Sequence, residues 1–128
     1  MQMGRSSNSM LALCLYALLP NPSRAEDAVL TWNAAVLRAL KQDASAPLLV
    51  ARALAILHVA QWRAVGGEKK ADELAVASAG YTVAITLLPG HRGEFDALWT
   101  KQLGEDSGKR LVSIQKGEAA AREVLADR

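Results

Sequence analysis

The stretch from Pro47 to Trp62 constrains the fold of this chain more than any other part of its sequence. It is apolar on all sides except at Arg52, His58 and Gln61, and no glycine or proline follows its first residue. An apolar run of this length without helix breakers is typical of a helix that is buried on most sides. We therefore expect residues 47–65 to form the buried central helix of the domain.

The rest of the sequence predicts four more helices separated by turn-forming residues. Apolar residues recur at three- and four-residue steps over about 27–42, 71–88, 90–103 and 109–126. Glycine and proline punctuate these segments at Gly66-Gly67, Pro89-Gly90 and Gly104. No segment alternates polar and apolar residues as a strand does. The sequence thus predicts an all-α fold, a small bundle of about five helices with no sheet.

Two local features refine this prediction. Pro47 suits the first turn of the central helix, and Asp43 or Ser45 could cap its start. The third helix carries small residues, including Ser78 and Gly80, that would let another helix approach closely. We therefore expect the third helix to lie against the central one.

The first 25 residues have the pattern of a cleaved signal peptide. Arg5 provides the positive charge, residues 10–19 form an apolar core, and small residues precede an expected cleavage after Ala25. The alternative is a membrane anchor, but ten helical residues rise only about 15 Å, half the hydrocarbon thickness. These features predict a secreted or periplasmic protein whose single helical domain covers residues 26–128.

Loss of the signal peptide changes the charge of the chain. The full sequence has 15 basic and 13 acidic residues, and removal of Arg5 and Arg24 leaves 13 of each. A neutral chain without a basic patch is not expected to bind nucleic acid. The single cysteine, Cys14, also leaves with the signal, so we expect no disulfide in the mature protein. Because the apolar residues 10–19 leave as well, we expect no stable membrane span after cleavage.

Arg52 and His58 are the candidate buried polar residues of the central helix. A histidine among apolar neighbours usually bonds a backbone carbonyl, and no second metal-ligand side chain lies one turn from His58. Arg52 needs an acidic partner, a route for its charge to the surface, or an anion bound between helices. The three tryptophans are expected to pack in the core.

Motifs of known catalytic and metal sites are missing from the sequence. It contains no G-x-S-x-G, no phosphate-binding P-loop, no H-E-x-x-H and no calcium-binding loop pattern. We therefore assign no catalytic, cofactor-binding or metal-binding residue.

Four stretches, taken in order, resemble the N-terminal helical region of bacterial vanadium-dependent haloperoxidases, relatives of the type-2 phosphatidic acid phosphatases. They are Leu30-Thr-Trp-Asn-Ala-Ala35, Pro47-x4-Arg52-Ala-Leu-Ala-Ile-Leu-His58-Val-Ala60, the Ala-rich run 75–88 leading into Pro89-Gly-His-Arg-x2-Phe95-Asp-Ala-Leu98, and Gly117-Glu-Ala-Ala-Ala-Arg122. The resemblance covers nearly all of the chain after residue 25.

The resemblance implies an all-helical fold and a connection to peroxidase chemistry. Enzymes of that family bind vanadate through a Lys, an Arg-Pro pair, a Pro-Ser-Gly-His stretch and a later Arg and His, all in the C-terminal half. None of these motifs is present here, and Pro89-Gly90-His91 does not match the Pro-Ser-Gly-His stretch because it lacks the serine. The connection after Val65 is also shorter than is usual in the family. Vanadate is therefore expected only together with a C-terminal half.

Two functions follow from these observations. The first is a truncated or split haloperoxidase-like scaffold that is inactive alone and pairs with a C-terminal catalytic half, or self-associates through an exposed apolar face. The alternative is a stand-alone secreted helical module that binds a partner protein or a small ligand.

Overall fold

Five helices and no strand make up the part of the chain that the structure, a computed structural model, describes: residues 24–68, 72–103 and 110–127. They are α1 (Arg24–Gln42), α2 (Pro47–Val65), α3 (Glu73–Leu87), α4 (Arg92–Leu103) and α5 (Arg110–Ala126), with a 3₁₀ turn (Pro89–His91) before α4. This architecture confirms the predicted all-α bundle. The predicted signal peptide lies almost entirely outside the described residues.

The helix boundaries follow from local backbone chemistry. α1 ends at Gln42 and is followed by Ala44, which has a φ of 49°, while the amide of Ser45 donates to the carbonyl of Leu40 at 3.0 Å. This 6→1 bond beside a left-handed residue is a Schellman ending. Pro47 occupies the first turn of α2 as predicted, but the residue before the helix is Ala46, and no side chain caps it. The predicted cap by Asp43 or Ser45 is therefore wrong.

Polar and glycine residues bound the next helices. Gly66 ends α2 with a φ of 67°, a left-handed conformation that suits glycine. The carboxylate of Asp72 accepts from the amide of Ala75 at 3.2 Å and caps α3. α3 ends before Pro89, which cannot continue a helix that needs its amide hydrogen.

The centre of the bundle is α3 rather than α2. All six residues from Ala75 to Gly80 are buried, so this part of α3 is covered on every side, and α3 packs against each of the other four helices. α2 buries one face only, and on its other face Leu48 and Trp62 are 80% and 77% exposed. The prediction of a buried central helix at 47–65 is therefore wrong in its burial, although its limits match α2.

Small side chains explain why α3 takes the central position. Gly80 lets the buried Trp32 of α1 lie directly on the α3 backbone. Gly117 of α5 lies so close to α3 that a Cβ atom there would be 2.1 Å from the carbonyl oxygen of Ala75. A helix of small residues lets several helices approach its axis, whereas the large apolar residues of α2 find neighbours on one side only.

Candidate functional site

Arg52 and His58, the polar residues singled out in the sequence, are both exposed, so the prediction that they are buried is wrong. Their side chains project from different sides of the exposed face of α2. His58 Nε2 lies 3.0 Å from Oδ1 of Asn33 on α1. This contact replaces the predicted bond to a carbonyl of the core, and the two residues do not form a common site.

Arg52 borders a small apolar pocket of about 260 Å³ between the start of α2 and the ends of α1 and α3. The other lining residues are Leu40, Ser45, Leu49, Ala53, Ile56, Leu87 and Leu88. Arg52 is the one charged residue in this lining. A multiply charged oxyanion such as vanadate needs several converging donors. The described residues around Arg52 therefore do not fit vanadate.

A groove of about 590 Å³ lies over α3 between α4 and α5. We call it the α4–α5 groove. Its floor is formed by α3 through Ser78, Tyr81, Thr82, Ile85 and Thr86, and its walls by Trp99 of α4 and by Ile114, Glu118, Arg122, Leu125 and Ala126 of α5. The exposed part of the lining is mainly apolar, and the groove is open to solvent along its length.

The serine and threonine hydroxyls in the floor of the groove donate to backbone carbonyls. Ser78 donates to the carbonyl of Ile114 at 2.8 Å and so ties α3 to α5. Thr82 and Thr86 each donate to the carbonyl four residues earlier in α3. Each of these three hydroxyls is thus engaged, and none of the three is held beside a base that could activate it as a nucleophile.

Tyr81, Trp99 and Asp96 form a polar and aromatic cluster at the groove. The Tyr81 and Trp99 rings stack with centroids 5.2 Å apart and planes at 9°. The Tyr81 hydroxyl donates to Asp96 Oδ1 at 2.7 Å, and Arg92 Nε lies 3.6 Å from Asp96 Oδ2. Burial, then the bond to the Asp96 carboxylate, raises the pKa of Tyr81 above its ordinary value.

This cluster was not predicted from the sequence. Trp99 was expected to pack in the core, and Asp96 was noted only as part of the stretch that carries the family resemblance. The turn at Pro89 folds α4 back on α3 and brings the three together. Their spacing of 15 and 18 residues across a turn is not a recognisable sequence pattern.

Several charged side chains on the described surface are engaged in ion pairs. Arg122 pairs with Glu118 one turn earlier, Lys116 lies 2.8 Å from Glu68, and Arg63 lies 3.5 Å from Glu123. Within 24–68, 72–103 and 110–127, no three His, Cys, Asp or Glu side chains are grouped to hold a metal ion. His91 instead pairs with Asp43 at 2.8 Å and joins the turn before α4 to the end of α1.

Among the described helices, α2 alone is long and apolar enough by itself to cross a membrane, with a mean hydropathy of 1.4. α3 and α4 meet the same test only when they are joined as one segment bent by 114°. Core helices of soluble proteins also satisfy this criterion. In α2, Leu57, Ala60 and Ala64 pack into the bundle, whereas Arg52 and Arg63 lie at its surface. One face of the helix is therefore packed and the other is exposed, although most of its residues are apolar.

Comparison of the chain with protein families, curated proteins and solved structures finds no match.

Proposed function

We propose that the chain is the N-terminal helical scaffold of a vanadium-dependent haloperoxidase-like protein, inactive until a segment that carries the oxyanion-binding residues docks on it. The α4–α5 groove is the observation that carries this proposal. A helix bundle normally fills the space above its central helix with another element. Here α3, the most buried helix, has one side open along the groove.

The shape and chemistry of the groove suit a docked helix better than a small substrate. Its lining runs along α3 from Ser78 to Thr86, two turns of helix, and it is open at the top rather than enclosed. Ile85 offers apolar contact in the floor, and the Glu118–Arg122 pair lies on one wall. An amphipathic helix could bury its apolar side on the floor and meet this ion pair with polar residues.

Oxyanion chemistry would have to come from the docked segment. Arg63, Arg92 and Arg122 each face a carboxylate, and Arg52 lies apart from the groove. The scaffold would contribute the rigid α3–α4–α5 surface that positions the segment, and the segment would contribute the converging donors for vanadate.

Activity measurements test the first part of this proposal. We expect no bromide oxidation by the purified protein with vanadate and hydrogen peroxide above the rate of the same mixture without protein. Appreciable turnover that is lost on chelation of vanadate would overturn the inactive-alone part.

Complex formation tests the second part. A separate polypeptide that carries the Arg-Pro and Pro-Ser-Gly-His stretches of a haloperoxidase C-terminal half should bind the purified chain. Ile85→Arg in the groove floor should weaken this binding at least tenfold, whereas Leu30→Arg on α1 should leave it unchanged, because Leu30 is 59% exposed and lies outside the groove. Equal effects of the two substitutions would exclude the groove as the docking site.

The genomic sequence downstream of the coding region offers a further test that needs no protein. Arg-Pro and Pro-Ser-Gly-His motifs there, in any reading frame, would support a split or interrupted enzyme. An unrelated downstream sequence would favour the stand-alone binding module.

A further inference from the structure

The outward face of α2 carries an apolar stripe that no described helix covers. It consists of Leu48, Ala51, Ala55, Val59 and Trp62, all of them exposed. These positions follow one another at steps of three, four, four and three residues, so they lie on one side of the helix. The stripe is about 21 Å long at the 1.5 Å rise of an α-helix. We call it the α2 stripe.

The order of side chains along the α2 stripe is nearly symmetric about Ala55. Large residues lie at both ends, seven positions before and after it, as Leu48 and Trp62. Smaller residues, Ala51 and Val59, lie four positions before and after it. An antiparallel second copy of the same helix, related by a two-fold axis at Ala55, would place large residues opposite large ones and small opposite small.

The geometry points to a second copy of this chain as the occupant: we propose that two chains associate through their α2 stripes as an antiparallel pair. In this pair Leu48 packs on Trp62 of the second copy, Ala51 packs on its Val59, and the two Ala55 residues meet at the axis. Such an isologous contact uses the same patch twice and closes on itself. It is separate from the α4–α5 groove and independent of the proposed function.

The width of the stripe favours a helix over a lipid surface. Its five residues span about 80° of the helix circumference at 100° per residue, narrower than the apolar face of a helix that lies on a core or membrane. The alanines at its centre bring little apolar bulk for insertion into lipid, but they let another backbone approach. Both features are typical of a helix–helix seam.

The exposed area is sufficient for a weak, specific dimer. From the exposure of Leu48, Val59 and Trp62, the stripe presents on the order of 500 Å² per copy, so a pair would bury at most about 1,000 Å². This value is at the lower limit for specific interfaces, and we expect reversible dimerisation with a Kd on the order of micromolar.

Charges beside the stripe are complementary in the same arrangement. Arg52 and Arg63 are 11 residues apart, which places them within about 20° of each other on one flank of α2. Arg63 lies 3.5 Å from Glu123, so this carboxylate of α5 is on the same flank, and its side chain is 70% exposed. Arg52 is in none of the ion pairs formed among the described residues.

An antiparallel pair brings like flanks together. Arg52 of the second copy then lies at the level of residue 58, about 7 Å along the axis from the level of Arg63 and Glu123. The long arginine side chain covers this separation, so each Arg52 pairs with Glu123 of the other copy, twice in the dimer.

Sedimentation velocity over a concentration series tests the apolar contact. We expect a monomer–dimer equilibrium in the wild-type chain and at least a hundredfold weaker association for Trp62→Glu and Leu48→Glu. Leu111→Glu should leave association unchanged, because Leu111 is 61% exposed on α5 and lies off the stripe. Circular dichroism melting checks that each variant remains folded, as expected for exposed positions.

Charge reversal tests the register and the partner. Arg52→Glu and Glu123→Arg should each weaken the dimer about tenfold or more, and the double variant should return to within about threefold of the wild type. Arg52→Glu combined with Glu118→Arg, an equivalent reversal of a paired glutamate away from the stripe, should not rescue association.

Three results would overturn the antiparallel dimer. One is a wild-type chain that stays monomeric to several hundred micromolar. Another is failure of the Arg52–Glu123 double reversal to restore what the single reversals lose. The third is a monomer that co-sediments with phosphatidylglycerol vesicles and loses this binding on Trp62→Glu, which would assign the stripe to a lipid surface.

Discussion

A Cβ atom on Gly80 would lie 2.6 Å from Cγ of the Trp32 indole and 2.9 Å from its Cβ. The contact involves the base of the Trp32 side chain, which is fully buried and cannot turn away. The Trp32 indole of α1 therefore packs directly against the backbone of α3 at Gly80. The indole is held in place at its other end, where Nε1 donates to Oε1 of Gln102 on α4 at 2.7 Å.

Gly80→Ala should destabilise the protein although alanine is the better helix former. The gain in helix propensity is about 1 kcal/mol, whereas overpacking a core contact costs about 1–3 kcal/mol and here involves atoms next to the backbone. We expect a net loss of about 1–2 kcal/mol in the free energy of unfolding, measured by urea denaturation.

Gly93→Ala provides the matched control for this prediction. Gly93 also lies in a helix, but a Cβ atom there would have no neighbour within 4 Å. This variant should be neutral or more stable by up to about 1 kcal/mol. A loss of stability in Gly93→Ala as large as in Gly80→Ala would contradict the steric explanation.

Ala44→Gly should stabilise the protein. Ala44 has a φ of 49° in the Schellman ending of α1, a conformation that costs an L-residue with a Cβ about 1 kcal/mol relative to glycine. The midpoint of urea unfolding should rise by the equivalent of about 0.5–1 kcal/mol with an unchanged m-value.

Gly66→Ala at the end of α2 should have the opposite effect on stability, because Gly66 has a φ of 67°. The two changes together test whether left-handed helix ends set this part of the stability.

Gln61 and Gln102 should respond in opposite ways to loss of their amides. Gln61 is 2% exposed, and neither of its amide atoms has a hydrogen-bond partner among the described residues. Gln61→Met keeps the volume of the side chain and removes an uncompensated polar group, so we expect a gain of about 1–2 kcal/mol. Gln102→Met instead deprives the buried Trp32 Nε1 of its acceptor and should cost about 1–2 kcal/mol.

Thermal and urea unfolding of both glutamine variants checks this pair of predictions. A Gln61→Met protein less stable than the wild type would show that the amide is satisfied in solution, for example through bound water.

Periodicity and breaker residues were sufficient to predict the five helices, because both depend on neighbours close in sequence. Pro47, Gly66 and Pro89 act within one turn of their own position, and the predicted ends of α2 match the structure. The order of burial could not be predicted in this way. Trp62 and Leu48 are apolar but exposed, whereas Ser78 is polar and buried, because burial depends on which faces receive a neighbouring helix.

The same limit applies to the sites. Arg52 and His58 were selected because the segment around them is apolar, but a helix with one packed face can carry charges on the other. The Tyr81–Asp96 bond joins two helices across the turn at Pro89. The path of the chain between such residues, rather than their spacing, decides whether they meet.

The Tyr81–Asp96 bond should make stability depend on alkaline pH. Burial and the carboxylate of Asp96 raise the pKa of Tyr81 above its ordinary value of 10.0, so the folded state favours the protonated phenol. This contribution is complete below pH 10 and is lost as the pH rises through the folded-state pKa. Tyr81→Phe should cost about 1 kcal/mol at pH 7, and the difference from the wild type should shrink above about pH 10.

Urea unfolding of both proteins from pH 7 to pH 11 measures this difference while the titration of lysines cancels. Asp96→Asn keeps an acceptor but removes the charge, so Tyr81→Phe in that background should show a smaller change with pH. A wild-type advantage that stays constant to pH 11 would show that the phenol is not held protonated by the fold.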